Sequence, residues 1–292
     1  MRPAVELQKN EVWSDACAKY IIKILGAFIM LRWLAIIIMT AIFISSCEKD
    51  KNSSDPVNDM VLIGQGYDQG VLVSVYSEDT LTTGYNAIYT RLQDSASGEI
   101  LDEGHIHLSP LMHMTEMTHA APYGNPESEE AEEGLFEGYV VFQMPGNDME
   151  YWELEVEFHE HHSGKEGSVT IEPKVKSSNR CKVVTGTDAK SYILSWKKPR
   201  VPEVGLNTLE LMVHERVSMM SFPDVTDATL AIEPTMPSMG HGSPNNVDPV
   251  YVSGAVYRGK VNFTMTGDWQ VDVSITRNAA TVVETHFDVT VD

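Results

Sequence analysis

Phe136-Glu137-Gly138-Tyr139-Val140-Val141-Phe142-Gln143-Met144 aligns without a gap on Tyr257-Arg258-Gly259-Lys260-Val261-Asn262-Phe263-Thr264-Met265. A glycine follows each stretch, at Gly146 and Gly267, and then a tryptophan, at Trp152 and Trp269. Upstream, Pro110-Leu111-Met112 matches Pro234-Thr235-Met236. After a two-residue difference in length, Met117-Thr118-His119-Ala120-Ala121-Pro122 matches Met239-Gly240-His241-Gly242-Ser243-Pro244. Further back, Gly84-Tyr85-Asn86 leads into Ala87–Leu92 as Gly205-Leu206-Asn207 leads into Thr208–Val213. So many ordered matches point to an internal repeat. The chain divides on this reading into two homologous domains, 60–178 and 179–292, the first carrying an acidic insertion at Glu127–Glu133.

Within both copies, short alternating segments rich in Val, Tyr, Thr and Phe are separated by Gly, Pro and Asn. Examples are Val71–Tyr76, Tyr139–Gln143, Trp152–Phe158, Tyr192–Trp196, Thr208–Val213, Lys260–Met265 and Trp269–Ile275. No sustained helical period competes with them. The fold class is therefore all-β, with two tandem β-sandwiches.

The second copy resembles the YtkA-like/FixH-like domain family. The residues that carry the resemblance are Met236-Pro237-Ser238-Met239-Gly240-His241-Gly242 and Gly259 through Val271. The first copy is more diverged, with Met112-His113-Met114-Thr115-Glu116-Met117-Thr118-His119 in the same loop. The resemblance implies an Ig-like β-sandwich outside the cytoplasm and, for some relatives, an association with copper supply to respiratory oxidases.

The residues of the two loops suit that metal. Thioethers are soft ligands that carry no proton at any working pH, and imidazole serves both oxidation states of copper. The candidate ligands are Met236, Met239, His241 and Met265 in the second copy, and Met112, Met117, His119 and Met144 in the first. His113 and Met114 are extra donors beside the first loop. A metal-free alternative stays open, because methionine is also a good filler of irregular cores and the Pro/Gly setting can serve simply as a tight turn. The expected function is copper delivery, buffering or sensing at the envelope. The alternative is a non-metal Ig-like interaction or scaffold module that docks to an envelope protein partner.

Two further histidine groups stand out. In His159-Glu160-His161-His162, which follows the alternating Glu153, Glu155 and Glu157, His159 and His161 would share a strand face and could hold a divalent ion. His105 and His107 also alternate and read as a solvent-facing strand edge, and Glu127–Glu133 reads as a solvated insertion. Catalysis finds little support: GxSxG, P-loop, HExxH and CxxC patterns are all absent, and a hydrolase would require a cleft with a nucleophile–base pair. No enzyme activity is expected.

At the N-terminus, the apolar run Trp33–Ser46 follows Arg32 and ends at Cys47, in the order of a signal peptide. Ile44-Ser45-Ser46-Cys47 resembles the lipobox of bacterial lipoproteins, which implies lipidation of Cys47 and a membrane held through that lipid. A membrane-spanning helix over Tyr20–Ser46 is the rival reading. Residues 47–59 form a polar tether resembling the export signals of Bacteroidota lipoproteins, and Met30 would be a conventional start for the 1–46 signal segment.

Localisation is then the cell envelope, and the partner a membrane protein such as a copper-dependent oxidase or transporter. Cys17 and Cys47 fall in or at this segment, leaving Cys181 alone in the body without a disulfide partner. The formal charge of −21 becomes −23 once residues 1–46 and their five basic and three acidic side chains are removed. Such a surface repels phosphate backbones, so nucleic acid is excluded as a partner.

Overall fold

The computed structural model describes residues 55–292. The expected export segment 1–46 and the expected lipidation at Cys47 lie outside the described residues.

After a 3-10 turn at Pro56–Asp59, the first half of the described chain runs through β1 (Val61–Asp68), β2 (Val71–Ser77), β3 (Gly84–Asp94), β4 (Ile100–Leu101) and β5 (Gly104–His113). It continues through β6 (Thr118–Ala120), β7 (Tyr123–Gly124), β8 (Phe136–Phe142), β9 (Tyr151–Glu160) and β10 (Glu166–Ile171). The second half runs through β11 (Cys181–Thr185), β12 (Ser191–Lys198), β13 (Gly205–Arg216), β14 (Thr229–Met236) and β15 (His241–Gly242). It ends with β16 (Val247–Ser253), β17 (Val256–Phe263), β18 (Gly267–Arg277) and β19 (Ala280–Val291). No α-helix occurs among the described residues.

These strands form four antiparallel sheets in two sandwiches. In the first, one sheet has the order β1-β2-β3-β8-β7, with β4 added beside β3, and faces a sheet of order β10-β9-β5-β6. In the second, β11-β12-β13-β17-β16 faces β15-β14-β18-β19. Apart from β4 the strand orders correspond one to one.

The alternation in the sequence decides which face turns inward. On β9, Trp152, Leu154, Val156 and Phe158 are buried, while Glu153, Glu155, Glu157 and His159 point outward. On β18, Trp269, Val271, Val273 and Ile275 fill the same role. Each such fully buried apolar side chain is worth roughly 1.5–3 kcal/mol against its exposed state.

Gly138 and Gly259, matched in the repeat, have one reason in both places. A Cβ on Gly138 would lie 2.7 Å from the Gly124 carbonyl oxygen, and one on Gly259 would lie 2.3 Å from that of Val247. The edge strands β7 and β16 approach too closely for any side chain there.

The sandwiches meet through sheet faces turned away from their own cores. Val141, between the core residues Val140 and Phe142, points the other way and packs with Ile193, Met212 and Ala255. Tyr85, Tyr139 and Cys181 close around this second, smaller core, where burial pushes the Cys181 thiol up to about 12. The Tyr85 backbone N–H donates to Ser195 Oγ at 2.7 Å, Lys197 Nζ stands 4.6 Å from the Tyr85 ring centre, and Arg200 pairs with Glu78.

Candidate functional site

Each sandwich carries one cross-strand row of three side chains at one end of a sheet. In the first, Met112 on β5 lies opposite His119 on β6 on one side and opposite Trp152 on β9 on the other. In the second, Met236 on β14 lies opposite His241 on β15. The pairing Thr235↔Gln270, carried one residue on, sets Met236 opposite Trp269 on β18. Residues opposed in this way share a sheet face, with Cβ atoms about 5 Å apart. The order His–Met–Trp is thus the same in both sandwiches.

The tryptophans form the inner wall. Both are fully buried, and each ring meets the loop histidine edge to face: His119 to Trp152 at 5.5 Å and 89°, His241 to Trp269 at 5.9 Å and 89°. Trp152 Nε1–H donates to the Met144 carbonyl at 2.9 Å, and Trp269 Nε1–H to the Met265 carbonyl at 3.1 Å. This bond turns the chain out of the ladder, so β8 and β17 end at Phe142 and Phe263. Met144 and Met265 both follow the strands, so Met265 lies outside β17 although the segment Lys260–Met265 reads as strand. The same bond holds both methionines at the loop.

The second loop is tight. Met239 N–H and Gly240 N–H both donate to the Met236 carbonyl, at 3.0 and 2.9 Å, with Gly240 at φ +63. Met236 is buried, its Cε against Gly267, whereas Met239 at the tip is 61% exposed. In the first loop, Met112 is buried and Met117 is 48% exposed, its carbonyl accepting from Met114 N–H at 2.9 Å. His119 Nδ1 lies 2.8 Å from the Ala120 carbonyl. A carbonyl only accepts, so Nδ1 donates, which in the neutral ring leaves Nε2 as the acceptor. Each loop thus offers a buried thioether, an imidazole, an exposed thioether and a third methionine just past the strand end, donors of a softness that copper takes.

Two residues outside the repeat join the first loop. Ala120 N–H donates to the Met219 carbonyl at 2.8 Å, which sets the exposed Met219 and Met220 of the second sandwich beside His119. Only the placement of two adjacent methionines in a polar turn, Ser218–Ser221, hints at this in the sequence. The same contact separates the loops. Met236 sits at the Gly267 end of the second sandwich, where Gly205 pairs with Phe263, and Met219 follows the far end of β13. The 12 residues of β13 span roughly 36 Å, so the two loops lie well apart.

The other histidines are dispersed or gathered elsewhere. His107 Nδ1 lies 2.7 Å from Asn125 Nδ2, and His162 lies against the buried carboxylate of Glu160. His105, His159 and His161 gather on the outer face of the β10-β9-β5-β6 sheet.

Residues 189–274 match a protein-family model described as YtkA-like. No curated protein matches the chain. Among solved structures it is similar to the Escherichia coli adhesin FdeC, at 15% identity over 78% of this chain and 66% of that one, with a TM-score of 0.26. It is also similar to invasin, a bacterial integrin-binding protein, at 13% identity over 76% and 39%, with a TM-score of 0.24. Domains 5–6 of the S-layer protein SbsC match at 11% identity over 80% and 99%, with a TM-score of 0.27. The chain therefore spans just under two thirds of the adhesin's length and well under half of invasin's. The YtkA-like match contains Met236, Met239, His241, Met265 and Trp269, the whole of the second row with its loop.

Proposed function

We propose that this chain is a copper-binding module of the cell envelope, built from two YtkA-like sandwiches and tethered through a lipid on Cys47. Copper would be held by Met112, Met117, His119 and Met144 in one loop and by Met236, Met239, His241 and Met265 in the other. The observation that carries the reading is the repeated row His119–Met112–Trp152 and His241–Met236–Trp269. A core filler needs no histidine beside it, and a plain turn needs no buried methionine under it; the two rows keep both. Such a module would deliver, buffer or sense copper for a membrane partner such as a copper-dependent oxidase or transporter.

Docking to an envelope protein without metal is the second reading, favoured by the exposed Met117, Met219 and Met220. Titration of the full chain, in mild detergent, with Cu(I) against a chromophoric chelator separates the two. The copper reading expects two equivalents bound, one lost in Met239→Leu/His241→Ala and the other in Met117→Leu/His119→Ala. Failure of the wild type to compete removes copper and leaves the docking module.

A further inference from the structure

Outside the loops, one group of side chains has the chemistry of a second kind of site. On the outer face of the first sandwich, Glu166, His159 and His105 form a row across β10, β9 and β5, each directly opposite the next. His161, just past the end of β9, completes a triangle of imidazoles: ring centres lie 4.8 Å from His105 to His161, 5.3 Å from His159 to His161 and 6.2 Å from His105 to His159. The fourth member comes from the acidic insertion. Gly104 N–H donates to the Glu129 carbonyl at 2.8 Å and Ala131 N–H to the Asp102 carbonyl at 2.7 Å, which lays the insertion along the start of β5. His161 N–H donates to the Glu103 carbonyl at 3.1 Å on the same corner. One donor atom each from His105, Glu129 and His161 then lies within 4.8 Å of the other two.

We propose that His105, His161 and Glu129, with His159 as a fourth ligand, form a zinc site that clamps the acidic insertion to the sheet. Imidazole nitrogen and a single carboxylate are the donors zinc takes, whereas calcium and magnesium take oxygen alone. A tetrahedral ion with bonds of about 2.0–2.1 Å needs donors roughly 3.4 Å apart. The donors of His105, Glu129 and His161 must therefore close by little more than an ångström, and these three side chains and His159 are all exposed. The second sandwich has no counterpart: the positions matching His105 and His159, themselves paired in the β14–β18 ladder, are Thr229 and Thr276. The site belongs to the first copy and to its insertion, and it owes nothing to the thioether loops.

The test is a Zn²⁺ titration of the full chain in mild detergent against a chromophoric zinc chelator, with amide exchange followed in parallel. One equivalent is expected in the wild type. His105→Asn/His161→Asn should weaken it by at least roughly tenfold, the low end of losses seen around metal sites, and His119→Ala/His241→Ala should leave it unchanged. Zinc should also slow exchange at Gly104 and Ala131. A wild type that does not compete, a His105→Asn/His161→Asn variant that binds as the wild type does, or zinc lost with the loop histidines would overturn the site. Binding without slower exchange at those two amides would overturn the clamp.

Discussion

His214 on β13 is buried to 1% exposure, and neither ring nitrogen makes a hydrogen bond. Burial pushes its pKa down to about 4, well below the ordinary imidazole value. The folded chain therefore holds His214 neutral between pH 6.5 and 4, where the unfolded chain would protonate it. The unfolded state binds more protons across that window, so stability falls as pH falls. The shift corresponds to about 3 kcal/mol by pH 4. Asp224, whose Oδ1 is 3.4 Å from Nε2, has its carboxyl raised by burial and acts in the opposite sense at the acid end. Thermal melts of wild type and His214→Leu between pH 7 and 4 should diverge, with the variant losing less on acidification. Parallel pH profiles would remove His214 as the cause.

At the scale of the element, the tie from each tryptophan to its loop invites a direct test. Trp269→Phe keeps an aromatic ring in the core but removes the donor that holds the Met265 carbonyl. The lost hydrogen bond should cost about 1 kcal/mol in addition to the smaller ring. If the copper proposal holds, Cu(I) affinity should fall at the second loop and persist at the first. A second-loop affinity equal to the wild type's would mean that Met265 needs no fixing.

The strands themselves were legible, because Glu153, Glu155 and Glu157 alternate with Trp152, Leu154, Val156 and Phe158, and a period of two leaves only one face for the core. So were the loop residues, through the repeat. Their supporting wall was not, since a tryptophan marks a core position equally well whether or not it backs a site. The insertion's role was hidden for a different reason. Glu129 reaches Gly104 across 25 residues of chain, and no local period records such a contact. His161 was expected on the strand face with His159, but β9 ends at Glu160, and His161 is placed by the turn and by Glu103.

Across the whole molecule, the faces joining the sandwiches are apolar where an isolated sandwich would face water. Val141 of the first sandwich and Ile193, Met212 and Ala255 of the second form one buried cluster between them. Calorimetry of the wild type should therefore give one cooperative transition for residues 55–292. Ile193→Ala, a truncation in the class that costs about 2–5 kcal/mol in a packed core, should split it into two. A single transition in the variant, merely shifted, would mean that the polar contacts of Tyr85 with Ser195 and Glu78 with Arg200 suffice to couple the halves.

The bond from Ala120 N–H to the Met219 carbonyl makes the two loops unequal neighbours. β6 is braced by the other sandwich, whereas β15, among the described residues, pairs only with its own hairpin partner β14. Any ligand that spreads the first loop must also displace the Val217–Ser221 turn, and one entering the second need not. If the copper proposal holds, two ports of different stiffness would fill in succession as supply rises. The chain would then answer over a wider span of concentration than a pair of identical ports could cover.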